Sequence, residues 1–319
     1  MNTSAVVAIT LNPALDITIT IEHLSAESTL RIPAAQRRLG GKGLNVANVA
    51  AEQGYTAVAL GPICHESLQE LHQRQTEQRN TTHPLNDGVH TAFTPTPTPL
   101  RSTYAIHQKH DSSTTIINEN GAEHPTHVYE GILNTLEDTL KHYDHCAVTL
   151  SGSFPPAAPT TLINDISTLC QRYGSTFIVD TSGKHLLDAA QAHADYLKPN
   201  YSELLEATQS DELFTAVKKL QNLGAQNIIV SCAEDGLYFI NHHQAYRAKL
   251  AQPLQGNPTG AGDALVAALA TGLIDKLPTE ELLRRAICWS ALALTQPIAG
   301  AIGTEWESLN TNILMEKIR

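Results

Sequence analysis

The stretch GNPTGAGDALVAALATG, Gly256 to Gly272, sets turn-forming residues directly against small apolar helix formers, with one carboxylate, Asp263, at the seam. Gly260 and Gly262 can take positive φ and expose their N–H groups, and Ala264 to Ala270 reads as a buried helix. The seam is therefore a helix N-terminus, where free N–H groups and the helix dipole favour an anion. Asp263 there is either an N-cap or an acid that works beside a bound phosphate. A helix N-terminus is expected to lower its pKa.

Other segments carry similar chemistry. NPALD places Asp16 in a turn after the first apolar run, and RRLGGKGLN sets Gly40, Gly41 and Gly43 ahead of a helix bearing Asn45. The glycines let a ligand approach the backbone, and Asp16 and Asn45 suit sugar hydroxyls. GGKG is not a Walker A loop, which needs GxxxxGK[ST], and no GxGxxG is present. KPNYSEL ends a strand at Leu197 and opens a helix, with Asn200 and Glu203 three apart. That spacing suits a capping box, and it equally lets both side chains reach one Mg²⁺ through water. SGSFPP (Ser151 to Pro156), DTSG (Asp180 to Gly183) and VSCAEDG (Val230 to Gly236) complete the set.

These residues need a scaffold that gathers them. VVAITL, TAVAL, CAVTLSG, TFIVD and NIIVS read as buried strands, most of them separated by amphipathic helices. The alternation predicts βαβ crossovers and a mainly parallel sheet with helices on both faces, which binds ligands beyond the carboxyl ends of its strands. ITITI (Ile17 to Ile21) and STYAIHQ (Ser102 to Gln108) alternate apolar and polar residues and suggest a small antiparallel lid. TPTPTP, Thr94 to Pro99, reads as an exposed connector in that lid. There is no internal repeat and no linker between independent domains.

At 319 residues and 42% hydrophobic, the chain can build a real core. A net charge of −11 argues against a nucleic-acid partner or an acidic membrane surface, so an anionic ligand must meet local cations. No basic stretch followed by a signal-length apolar core opens the sequence and no apolar run is of spanning length, so a cytoplasmic setting is the expectation. The five cysteines are scattered without a CxxC pair and read as reduced thiols. HQKH, HPTH and HYDH lack the partners of a metal site and read as solvated faces.

GGKGLN, KPNYSEL and PTGAGD together resemble the signatures of the ribokinase-like (PfkB) carbohydrate kinases. LNPALD, SGSFPP and DTSG further resemble the hexose-phosphate branch of that family, with its 1-phosphofructokinases, tagatose-6-phosphate kinases and minor 6-phosphofructokinases. The motifs stand in order from Leu11 to about Gly303. The resemblance implies one three-layer α/β/α domain over 1–319, with lid strands from about 12–35 and 89–118, and ATP and Mg²⁺ as cofactors. It implies transfer of the γ-phosphate to a ketohexose phosphate, fructose 1-phosphate to fructose 1,6-bisphosphate first. Tagatose 6-phosphate, fructose 6-phosphate, or a free sugar or nucleoside are the alternatives. A homodimer paired through the lid is a further implication.

By the same resemblance Asp263 is the catalytic base, and the N–H groups of Gly260, Ala261 and Gly262 stabilise the phosphoryl group in flight. Asp16, Gly40, Gly41, Asn45 and Ser151 fall at sugar-contacting positions, with Lys42 adjacent. Arg31 and Arg101, both placed on lid strands, fall where the branch binds the substrate's own phosphate. Lys198, Asn200, Ser231, Gly236 and Thr259 belong to the nucleotide side, with Asn200 and Glu203 as the magnesium motif. The chain departs from the pattern at Arg101-Ser102-Thr103, where RxN is usual, and at Ala157 and Ala233, where glycine is usual.

Overall fold

A computed structural model of the chain describes residues 3–67, 88–111, 113–296, 298–303 and 306–319. The five expected strands all form. They are β1 (Ser4–Ile9), β4 (Ala57–Cys64), β8 (His145–Ser151), β9 (Thr176–Asp180) and β11 (Asn227–Ser231). With β5 (Val89–Thr96), β10 (Tyr196–Leu197), β12 (Leu237–Ile240), β13 (Ala245–Leu250) and β14 (Ile313–Lys317), they make one sheet ordered β14-β13-β12-β11-β10-β9-β8-β1-β4-β5. From β11 to β5 all neighbours run parallel, and β12, β13 and β14 add an antiparallel edge.

Helices cover both faces. One core gathers α2 (Thr126–His142), α3 (Leu162–Arg172), α4 (Lys184–Gln191), α5 (Tyr201–Thr208) and α6 (Leu213–Leu223) against side chains such as Val7, Ile9, Val148 and Phe177. The opposite core packs α1 (Lys42–Glu52), α7 (Ala261–Ile274) and α8 (Thr279–Ala293) against Val6, Ala8, Ala147 and Ile178. Adjacent residues of β1 thus feed different cores, as the two-residue strand period requires, and a strand buried on both faces must be apolar throughout. No described helix is long and apolar enough to cross a membrane. All five cysteines are free thiols.

A second, four-stranded sheet is ordered β3-β2-β6-β7, from β2 (Ala14–Ile21), β3 (Gln36–Gly40), β6 (Arg101–Gln108) and β7 (Thr114–Asn118). It differs from expectation in three respects. Its two central strands, β2 and β6, run parallel, with antiparallel neighbours only outside them. Alternation marks a half-buried strand but carries no information on direction. Its strands end at 40, beyond the expected 35, because QRRLG has no clear alternation to betray β3. The stretch from Val89 to Thr96 belongs to the large sheet, paired with β4.

The TPTPTP segment is correspondingly no exposed connector. Thr94, Thr96 and Thr98 are buried while Pro95, Pro97 and Pro99 face out. Thr98 Oγ1 donates to Glu123 O at 2.8 Å, and Thr96 Oγ1 lies 2.9 Å from His124 Nδ1. Proline is tolerated because this is an edge strand, where the missing N–H faces away from any partner.

Candidate active site

Parallel strands bring their carboxyl ends to one side, so the loops after β1, β8, β9 and β10 and the N-termini of α1, α5 and α7 converge there. Two glycines set the entry of α1. Gly41 is its N-cap at φ 140°, and a Cβ on Gly43 would come within 2.6 Å of Ile9 O. The helix can start directly over the end of β1 only without that carbon. At Gly40 a Cβ would collide with the Asp16 carboxylate, so a larger residue there would have to displace that side chain.

At α7 the N-cap is Gly260, at φ 89° against Ala299, so Asp263 is the third helical residue and not the cap. Asp263 is 5% exposed, and its Oδ2 accepts a 2.8 Å hydrogen bond from Asn45 Nδ2. Burial pushes its pKa up to about 6; Lys42 opposes the rise, Asp180 adds to it, and the Asn45 bond and Lys198 oppose it. The expected lowering by the helix end is therefore overturned, since desolvation of an enclosed carboxylate outweighs a terminal dipole. A Cβ built on Gly262 would meet only Lys198 Nζ, at 3.5 Å, so the backbone at the mouth of α7 stays approachable.

Two lysines flank this mouth. Lys198, at the end of β10 and 3% exposed, lies 3.2 Å from Asp180 Oδ1, and Lys42 Nζ lies 3.7 Å from Asp180 Oδ2. Lys42 keeps 46% of its side chain in solvent. Asp180, at the end of β9, is 1% exposed. Burial works to raise its pKa, but Lys198 and Lys42 together overcome that and hold it below the usual carboxylate range. Asp180 in turn raises Lys42, against burial and with help from Asp263 and Glu203.

The Asn200–Glu203 pair forms the capping box of α5. Asn200 Oδ1 accepts from Glu203 N at 2.8 Å, and Glu203 Oε2 accepts from Asn200 N at 2.9 Å. The cap engages one carboxylate oxygen of Glu203, and the Glu203 charge helps to raise the Lys42 pKa. Ser231 is joined to Asn200 by a β-bridge, its N–H donating to Pro199 O. Gly236 (φ 86°) is required by the chain itself, since a Cβ there would strike Ala248 O. Thr259 is exposed, its N–H donating to Asn257 Oδ1.

On the small sheet Asp16 lies within β2, not in a turn, and register sets it opposite Arg38 of β3. Arg38 NH2 donates to Asp16 Oδ2 at 3.2 Å, and Arg38 NH1 donates to Ala299 O beside Gly260. Burial raises the Asp16 pKa in spite of Arg38 and Arg101. Arg101 opens β6 as expected and ties it to the neighbouring segments, Nε donating to Asn12 O and NH1 to Glu119 O. Arg31 is exposed in the irregular segment between β2 and β3, not on a strand. Ser151 is enclosed, its hydroxyl without a hydrogen-bond partner among the described residues.

Sequence reasoning missed Arg38, whose signal was its place two residues before Gly40 on a strand facing Asp16. It also left Asp180 without a role, although an acid closing the buried run TFIVD has to be paired.

Both of the arrangement's anion-compatible ends face one enclosed carboxylate, which is a geometry for moving a phosphoryl group onto a hydroxyl. Comparison with known proteins agrees. The model of the pfkB family carbohydrate kinases matches residues 9–306. The chain is 31% identical over 317 residues to 1-phosphofructokinase of Vibrio cholerae, covering 97% of this chain and 95% of that one. It is 29% identical over 308 residues to tagatose-6-phosphate kinase of Staphylococcus epidermidis, covering 94% and 95%. Its fold matches phosphofructokinase-2 of Escherichia coli, solved in complex with substrates and products, with a TM-score of 0.82 at 21% identity over 98% of this chain and 99% of that one. The resemblance carried by motifs from Leu11 to about Gly303 is thus matched over nearly the whole length, and the chain belongs to the pfkB family of carbohydrate kinases, with ATP as phosphoryl donor.

Proposed function

We propose that the protein transfers the γ-phosphate of ATP, with Mg²⁺, to a hydroxyl of a ketohexose phosphate, fructose 1-phosphate being the first candidate. The observation that carries this reading is the enclosed Asp263 carboxylate at the open mouth of α7, flanked by Lys42 and Lys198. Asp263 orients the acceptor hydroxyl and takes its proton. The N–H groups of Gly260, Ala261 and Gly262 and the Lys198 ammonium stabilise the charge spreading over the transferring group. Asn45, Asp16 and the backbone at Gly40 and Gly41 hold the sugar, and Lys42 faces the phosphates.

Mg²⁺ neutralises charge on the β- and γ-phosphates when bound. The oxygen of Glu203 left over by the capping box, with Asn200 beside it, suits an ion that keeps most of its water. Ser231, Gly236 and Thr259 lie toward the nucleotide side. A phosphorylated acceptor is favoured over a free sugar because Arg38 and Arg101 both face Asp16 in an otherwise acidic protein.

The small sheet acts as a lid over the sugar. Its exposed Ile116 and Ile117, with Leu24, Leu30 and Ile32 on the same lobe, support a homodimer paired through this lobe.

The test is ADP release from Mg-ATP across a panel of fructose 1-phosphate, tagatose 6-phosphate, fructose 6-phosphate, free fructose, ribose and adenosine. Turnover confined to the phosphorylated ketoses supports the reading. Preference for ribose or adenosine would replace it with the free-sugar or nucleoside alternative. Tagatose 6-phosphate is the second reading, supported by the Staphylococcus epidermidis relative.

A further inference from the structure

Asn12 follows β1 and is buried, yet the proposed chemistry gives it nothing to do. Its side chain joins two segments that are far away in sequence. Nδ2 donates at 3.0 Å to Asn120 O, just after β7, and at 3.1 Å to Ser153 Oγ, just after β8. The Asn12 carbonyl itself accepts from Arg101 Nε at 3.1 Å. Arg101 NH1 in turn donates at 3.1 Å to Glu119 O, the carbonyl that precedes the one Asn12 holds. Its contact with Thr103 Oγ1, at 3.5 Å, is marginal. Both good bonds of the guanidinium therefore rest on backbone that Asn12 fixes, one directly and one through Asn120.

Packing does not supply the same restraint. Arg101 is half-buried, and a narrow cleft lined by Asn12, Thr98, Gly121 and His124 runs beside it. Gly121, at φ 84°, permits the close approach, since a Cβ there would come within 2.5 Å of Asn12 Oδ1 and 3.4 Å of Arg101 Cδ. A long side chain bordering open space has many rotamers, and ordering it when a ligand arrives weakens binding. Two fixed carbonyls order it beforehand. They leave NH2 without a hydrogen bond among the described residues, as a guanidinium that is to meet an oxyanion requires.

We propose that Asn12 is a positioning residue for acceptor selection, holding the Arg101 guanidinium ready for the phosphate that the sugar already carries. The inference rests on the phosphorylated-acceptor reading above and deepens it, by naming what orders the arginine that recognises that phosphate. The Asn12 side chain bonds to Asn120 and Ser153 and not to Asp263, Lys42 or Lys198. Its loss therefore acts on binding of the phosphorylated ketose and spares the transfer step.

The experiment compares wild type, Asn12→Leu, Arg101→Ala and the double variant; leucine keeps the volume of Asn12 and removes its donors. The probe is fructose 1-phosphate, tagatose 6-phosphate or fructose 6-phosphate, whichever wild type binds most tightly by calorimetry, with and without Mg-ADP. ADP release then gives kcat and the KM values for that sugar and for Mg-ATP. Asn12→Leu is expected to weaken sugar binding and raise the sugar KM by about tenfold, with kcat and the ATP KM within about threefold of wild type. Added to Arg101→Ala, it is expected to cost less than about threefold more, because the arginine it acts through is already gone. A merely structural role would lower the active fraction, and so kcat, and leave the sugar KM in place. Unchanged sugar binding in Asn12→Leu, or full additivity in the double variant, would overturn the proposal. Should Asn12→Leu fail to fold, Ser153→Ala, which removes one acceptor of the Asn12 amide, goes through the same cycle, with about a threefold rise in sugar KM expected and the same overturning outcomes. A wild type that binds none of the three sugars sinks the phosphorylated-acceptor reading and the proposal with it; binding in which Arg101 takes part and Asn12 does not sinks the proposal alone.

Discussion

Asn45 Nδ2 donates to Asp263 Oδ2 at 2.8 Å, tying the first turn of α1 to the first turn of α7. The amide fixes the carboxylate's rotamer and favours its charged form. Asn45→Ala is therefore expected to lower kcat by about ten- to a hundredfold, with a smaller effect on nucleotide KM. The acid limb of kcat/KM should move up in pH, because the lost amide favoured the charged carboxylate. A pH-rate profile of Asn45→Ala beside wild type checks the sign.

In the wild type, Asp263 with a pKa of about 6 is ionised at neutral pH and protonated below. In the proposed mechanism turnover requires the carboxylate, so kcat/KM should fall about tenfold per pH unit below that value. Asp263→Asn should abolish most turnover and leave the residual rate without that limb. Retention of near-normal rates in Asp263→Asn would remove Asp263 from the chemistry.

The same raised pKa makes a stability prediction of opposite sign. A carboxyl whose folded pKa lies above its unfolded one favours folding while protonated, and that contribution disappears as pH rises from about 4 through about 6. Asp263→Asn keeps the neutral form at every pH and can retain the Asn45 bond. It should therefore be more stable than wild type by about 1–3 kcal/mol at pH 8, with the gap closing by about pH 4. Paired thermal melts at the two pH values would show it; equal melting points at pH 8 would contradict it.

Ala157 and Ala233 both hold a left-handed backbone, at φ 55° and 47°. The Cβ is strained there and glycine is not. Ala157→Gly and Ala233→Gly should each stabilise the protein by about 0.5–1 kcal/mol, net of the extra freedom of the unfolded chain. Because Ala233 lies between Ser231 and Gly236, which the proposed function puts on the nucleotide side, ATP KM should be measured alongside the melting temperature. A loss of stability in both variants would refute the strain.

Much of this architecture was legible in the chain. Buried parallel strands are apolar on both faces, so TFIVD and NIIVS could be read to the residue. Strand direction could not be read, which is why the pairing of β2 with β6 was unexpected, nor could β3, whose QRRLG is polar and short. At the site, motif residues were recognisable one by one, but their electrostatics depend on burial and on partners far away in sequence. Asp263 illustrates this: a local rule lowers its pKa, and enclosure with Asp180 nearby raises it. Arg38 was hidden for the same reason, since only cross-strand register brings it to Asp16.

The proline near the end of β5 also bears on how the large sheet terminates. Pro95 inside β5, and Pro97 just beyond it, have no amide hydrogen to offer, so this end of the border that β5 forms gives an incoming extended segment fewer donors to pair with. A border with a full row of free donors is a template for fibrous self-assembly, and here the ring nitrogens of two imino acids interrupt that row.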